Sequence, residues 1–96
     1  MITHVVLFKL KDSSPEAIEK AAVVLRGLDG KVPVIRSIEV GVDVLRSQRS
    51  YDIALTVRFA TLEDLDTYQK HSEHVKVADY IASVRDSVAV VDYEGR

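Results

Sequence analysis

The sequence predicts an α+β domain of the ferredoxin-like kind, built in the order β-α-β-β-α-β, on three observations. Apolar residues alternate with others in two clear runs, Ile2 to Leu10 and Tyr51 to Phe59. Two segments carry helical spacing behind recognisable caps, one after Ser13-Ser14-Pro15-Glu16 and one after Thr61. Further apolar, β-branched runs follow each helical segment, so strands and helices interleave in the ferredoxin-like order.

Each element follows from its residues. In the first strand Ile2, His4, Val6, Phe8 and Leu10 share one face, and Thr3, Val5, Leu7 and Lys9 share the other, because strand side chains alternate. Both faces are largely apolar, so both are expected to be covered. In the first helix either serine can cap, Pro15 suits the first turn, and Glu16 favours the positive end. Ile18, Ala21, Ala22, Leu25 and Leu28 then form one stripe, and Gly30 and Pro33 end it. A long second strand is expected over Val34 to Val44, with Val34, Ile38, Val40, Val42 and Val44 in phase, and Leu45 to Ser50 reads as the turn. The third strand places Tyr51, Ile53, Leu55, Val57 and Phe59 inward against Asp52, Thr56 and Arg58. Leu62, Leu65 and Tyr68 mark a second helix, which His71-Ser72-Glu73-His74 interrupts. Ser72 is read as the cap of a third helix holding Val75, Ala78, Ile81 and Ala82, and Val88 to Tyr93 as the last strand.

Helices cover only one face of such a sheet. The other would expose Val5, Leu7, Ala54, Ala89 and Val91, and apolar patches of that kind mark interfaces. Two copies packed sheet to sheet make a dimeric α/β barrel, so a homodimer, with room for higher assembly, is the expected state.

Composition narrows the function classes. The chain has 96 residues, read as one domain over 1–96, with no linker and no internal repeat. A domain this small buries only about two-thirds of its unfolded surface, which favours a partner. It has no cysteine, so neither a disulfide framework nor a thiolate site is available. The formal net charge is −2, with both signs mixed along the chain, and no basic patch suggests nucleic acid. No apolar run approaches the roughly 18 residues of a membrane span, and the start lacks the pattern of a signal peptide. The expectation is a cytoplasmic protein with no membrane or nucleic-acid partner.

Four segments resemble one known family. His4-Val5-Val6-Leu7-Phe8-Lys9, Gly41-Val42-Asp43, Tyr51-Asp52-Ile53-Ala54-Leu55 and Tyr68-Gln69-Lys70-His71-Ser72-Glu73-His74 follow, in order, elements of the stress-responsive A/B-barrel (dimeric α/β barrel) family. The family contains a plant polyketide cyclase, olivetolic acid cyclase, and also stress-induced, very stable proteins without assigned chemistry. What the resemblance implies for residues is specific. Tyr68 and His74 match the cyclase's acid/base pair, His4 matches its opening histidine, and Asp92 matches an aspartate of its last strand. Ser72 replaces the usual proline, and Ile53 stands where the cyclase has a pocket histidine. Ala21, Ala22 and Leu25 replace aromatic pocket residues, so a cavity of different shape is implied.

The residues themselves allow the same chemistry. An imidazole has its ordinary pKa near neutrality, so His74 is able to take and return a proton, and Tyr68 is able to hydrogen-bond a carbonyl or enolate oxygen. Together they suit proton abstraction beside a carbonyl. Catalytic residues are thus expected at Tyr68 and His74, and pocket residues at His4, Val6, Phe8, Ile53, Leu55, His71 and Asp92. In the structural alternative, His71 and His74 satisfy local backbone groups, Tyr68 and His4 pack in the core, and Asp92 is a solvated carboxylate. A metal site is not expected, because no histidine pair has the i, i+4 spacing of a zinc helix, and no cofactor motif is present. The leading expectation is a small-molecule-binding dimer with cyclase- or isomerase-like acid/base activity on a carbonyl or polyketide-like substrate. Its rivals are a non-catalytic stability or assembly protein and a cofactor-free monooxygenase of the antibiotic-biosynthesis type.

Overall fold

The computed structural model describes residues 1–95. The element order is β1 (Ile2–Leu10), α1 (Pro15–Arg26), β2 (Ser37–Val42), β3 (Ile53–Phe59), α2 (Leu62–Lys70), α3 (Ser72–Val84) and β4 (Arg85–Glu94). The four strands form one sheet in the order β2-β3-β1-β4, and every pairing is antiparallel. This is the expected ferredoxin-like α+β fold, with its second helix broken in two.

Local chemistry explains most boundaries. Ser14 caps α1, its Oγ accepting from the Ala17 N–H at 3.2 Å, and Thr61 caps α2 through the Asp64 N–H at 3.1 Å. At the break the expected serine cap is replaced. His71 is the residue that caps α3, its Nδ1 accepting from the Glu73 N–H at 3.1 Å, and Ser72 is the first helical residue. An imidazole with a free lone pair does there what a hydroxyl would have done.

Several strand limits differ from expectation. β2 begins at Ser37, not Val34, because residues after α1 fold into consecutive turns that bury Leu28 and Val32. Gly30 takes φ 80° within them, a left-handed conformation that glycine adopts without strain. Val44 leaves the ladder altogether and is 93% exposed. β3 begins two residues later than expected, and β4 begins three residues earlier, directly at the end of α3.

Asp52 also departs from its expected outward place: it is buried, just before β3. Its Oδ2 accepts from the Leu10 N–H at 2.8 Å and its Oδ1 from the Arg46 guanidinium at 2.8 Å. Both carboxylate oxygens are thus satisfied, and the β2–β3 loop is tied to the end of β1.

The core lies between the sheet and the helices. Val6, Phe8 and Leu10 of β1, Ile53, Leu55, Val57 and Phe59 of β3, and Ile18, Ala21, Ala22 and Leu25 of α1 are all buried. Facing partners across the ladders show that Val5, Leu7, Ala54, Ala89 and Val91 share the opposite face. Val91 on that face is 54% exposed.

Candidate functional site

Three elements converge on one cavity. β1 supplies His4 from its inward face, α2 supplies Tyr68 from its last turn, and α3 supplies His74 from its first turn. The helix break matters here. It redirects the chain between Tyr68 and His74, so residues six apart bring their rings to a centroid separation of 4.4 Å. The rings of His4 and Tyr68 meet edge-on, with centroids 6.1 Å apart. The cavity has a volume of about 420 Å³, within the usual range for small-molecule sites. Its walls are mostly apolar: Val6, Phe8, Leu25, Leu28, Leu55, Val77, Ile81 and Val90 among them.

Tyr68 is completely buried, yet its hydroxyl has no hydrogen-bond partner among the described residues. A buried hydroxyl left this way costs free energy that a core phenylalanine would not, so its retention calls for an explanation. Burial pushes the Tyr68 pKa up to about 12, so the hydroxyl stays protonated and acts as a donor.

His74 is half-buried. Its Nδ1 lies 3.1 Å from the Gln69 carbonyl oxygen, which only accepts, so Nδ1 carries the proton. That leaves the Nε2 lone pair free. Burial holds the His74 pKa below its ordinary 6.5; the bond to the Gln69 carbonyl opposes this, and the nearby His4 adds to it. The ring is therefore neutral at physiological pH and able to accept a proton.

β4 lies beside β1 with Asp92 directly across from His4. His4 is buried, and its Nδ1 meets the Asp92 Oδ1 in a hydrogen bond and ion-pair contact. The carboxylate accepts, which fixes the tautomer and orientation of the ring.

The expected site residues thus divide. His4, Tyr68, His74, Val6, Phe8 and Leu55 line the cavity, and Asp92 bonds to His4 behind it. Two expected pocket residues do not line it. His71 turns to cap α3, and Ile53 lies in the core toward the β2–β3 loop, against a separate shallow depression beside Asp52. Of the three helix positions that the resemblance placed at the pocket, Leu25 lines the cavity and Ala21 and Ala22 do not. Sequence reasoning missed Leu28, Val77, Ala78, Ile81 and Val90, since apolar side chains read the same in a cavity wall as in a core. Arg85 and Asp79, also on the lining, were missed as well. Among the described residues no group of three or more His, Cys, Asp or Glu could hold a metal ion, and no helix is long and apolar enough to cross a membrane.

Fold and site together define a class: a small ferredoxin-like domain with one open sheet face and a histidine- and tyrosine-bearing apolar cavity under its helices. The chain belongs to the stress-responsive A/B barrel domain family, whose profile matches residues 2–95. A solved dimeric ferredoxin-like protein of unknown function from Bacteroides fragilis is 36% identical, with a TM-score of 0.83, covering 98% of this chain and 95% of that one. An Arabidopsis thaliana protein is 27% identical, with a TM-score of 0.85, covering 100% and 96%. The hydroxynitrile lyase of Passiflora edulis is 15% identical, with a TM-score of 0.82 and coverage of 96% and 90%; at that identity the likeness is one of fold alone. None of the curated proteins matches the chain in sequence.

Proposed function

We propose that this protein is a homodimeric small-molecule-binding barrel whose cavity removes and returns a proton beside a carbonyl group. The observation that carries this reading is the orphaned Tyr68 hydroxyl, buried in the cavity wall against the ring of His74. A ligand carbonyl oxygen supplies the acceptor that the protein withholds. Held there, the ligand presents its adjacent C–H to the Nε2 of His74. The C–H bond breaks, the proton passes to Nε2, and the electron pair shifts onto the carbonyl oxygen. The Tyr68 O–H donates to that developing oxyanion. Where a conjugated double bond extends the enolate, it takes the proton back from Nε2 at a more distant carbon, as in an isomerase. Otherwise its α-carbon attacks a second carbonyl, as in a cyclase, and the alkoxide so formed takes the proton from Nε2. His4, steadied by Asp92, is the second polar group of the wall and orients the ligand from the sheet side.

The dimer is part of the reading because of the open sheet face and the dimeric Bacteroides relative. Hydroxynitrile cleavage by the Passiflora enzyme shows that this fold hosts catalysis, without assigning that reaction here.

The test is proton exchange. Purified protein in heavy water is given acetylacetone and hexane-2,4-dione, and loss of the C3 proton signal is followed by NMR. Exchange above the buffer rate is expected, lowered on the order of 100-fold in Tyr68→Phe and lost in His74→Ala. If no carbonyl compound exchanges faster than in buffer, and both variants differ from the parent only in melting temperature, the non-catalytic rival holds.

A further inference from the structure

At the far end of the cavity from His4 stands a charged residue that the acid/base reading does not use. Arg85 is the first residue of β4, where α3 ends, and it lines the same cavity as His74. It is half-buried, and no carboxylate of the described residues lies within ion-pairing distance of it. A half-buried guanidinium facing an apolar cavity without a carboxylate is an unmet demand for an anion. Its backbone N–H completes α3 by donating to the Ile81 carbonyl, and the negative helix end favours a cation there. That explains why the charge is tolerated, but any exposed lysine would serve it equally.

Two lengths place Arg85 relative to the acid/base pair. Arg85 pairs with Leu10 on β1 while Asp92 pairs with His4, so six strand positions, about 20 Å, separate the two ends of the cavity along the sheet. Along α3, eleven residues from His74 to Arg85 span about 16 Å. The long arginine side chain shortens the gap, yet a molecule touching both ends is elongated. Val77, Ile81 and Val90 wall the stretch between them. Asp79 also lines the cavity, but it is exposed, so water weakens its repulsion of an anion.

We propose that Arg85 is a specificity-determining residue that binds a carboxylate, so that the ligand is an elongated apolar keto acid with its carbonyl at Tyr68 and its carboxylate at Arg85. This rests on the acid/base reading for the carbonyl end only. Arg85 fixes which carbonyl compounds enter and in which direction they lie.

A matched pair of ligands tests it: 9-oxodecanoate, and decan-2-one, which has the same ketone and chain without the carboxylate. Affinities are measured by calorimetry for the parent protein, Arg85→Gln and Arg85→Lys. The parent is expected to prefer the keto acid at least tenfold. Arg85→Gln brings the ratio of affinities near one, and Arg85→Lys keeps part of the preference because the charge remains. A parent that binds both equally overturns the proposal and leaves the acid/base reading standing. A preference that persists in Arg85→Gln, with both affinities and the melting temperature falling together, also overturns it, since Arg85 then only holds the helix end. If neither compound binds, the cavity is not a site for apolar ketones, and the acid/base reading falls with this one.

Discussion

The ring of His74 stands against the ring of Tyr68, with centroids 4.4 Å apart, while its own Nδ1 donates to the Gln69 carbonyl one turn away. That arrangement fixes the proton on Nδ1 and leaves the Nε2 lone pair free, beside a tyrosine whose hydroxyl has no protein partner among the described residues. Stability and activity should therefore respond in opposite directions when the hydroxyl is removed.

Tyr68→Phe is expected to stabilise the protein by about 1 kcal/mol at neutral pH, because an unsatisfied buried hydroxyl is lost and the ring packing stays. It is also expected to lower proton exchange. A further sign lies at high pH. The folded-state pKa of Tyr68 is raised from 10.0 to about 12, so the unfolded chain loses its proton first. Stability present below pH 10.0 is thus lost as pH rises toward 12. Chemical denaturation of parent and variant across that window should show a steeper decline in the parent. A variant less stable than the parent at pH 7 would mean that the hydroxyl does have a structural partner.

The pH dependence of His74 runs the other way along the scale. Its folded pKa lies below the ordinary 6.5, chiefly through burial, so the unfolded chain binds the proton first as the solution is acidified. The stability it contributes is complete above pH 6.5 and declines as pH falls through the folded value. His74→Gln should flatten that acid-side decline. In the parent, exchange rate should rise with pH and level off by about neutrality, since only the unprotonated ring accepts a proton. A rate that keeps climbing well above pH 7 would point to another base.

How much of this was legible follows from the range of each signal. Strand alternation placed His4 inward with Val6 and Phe8, because the period of two is local and β1 is buried on that face. Pairing His4 with Asp92 needed only that the last strand lie beside the first. The cap of α3 was misassigned because Ser72 and His71 both accept hydrogen bonds, and only backbone geometry chooses between them. Asp52 was read as solvent-facing since its burial depends on Leu10, 42 residues away, and on Arg46. Arg85 falls between Ala82, the last residue named for the third helix, and the expected strand start at Val88, whereas β1 extends far enough to pair with it.

Asp52 gives a prediction about stability alone. Asp52→Ala removes the acceptor of the Leu10 N–H and the partner of Arg46 together. Leaving a buried donor unpaired while breaking an ion pair whose arginine is 44% exposed should cost about 2 kcal/mol. Asp52→Asn keeps an acceptor for one donor and should cost less. The cavity is built from other residues, so ligand binding by the folded fraction should persist. Urea denaturation showing Asp52→Ala within 0.5 kcal/mol of the parent, inside the usual range of a surface change, would remove this account.

The open sheet face gives the last prediction. Val5 and Leu7 of β1 stand opposite Thr56 and Ala54 of β3 and opposite Val91 and Ala89 of β4, with no helix above them. A continuous apolar surface of this kind costs free energy while it stays wet, and a second copy covers it with an identical surface related by a two-fold axis. Leu7→Lys puts a charge at the centre of that contact, without touching the cavity on the other side of the sheet. In a dimer the ammonium is buried against its own symmetry mate, so the cost is doubled and should reach several kcal/mol per dimer. Light scattering should show the parent as a dimer at micromolar concentration and Leu7→Lys as a monomer with a lower melting temperature. Thr56→Val on the same face should tighten the dimer instead, because it adds apolar contact and removes a hydroxyl. If the parent is monomeric, or if Leu7→Lys assembles as well as the parent, the interface lies elsewhere and the open face needs a different occupant.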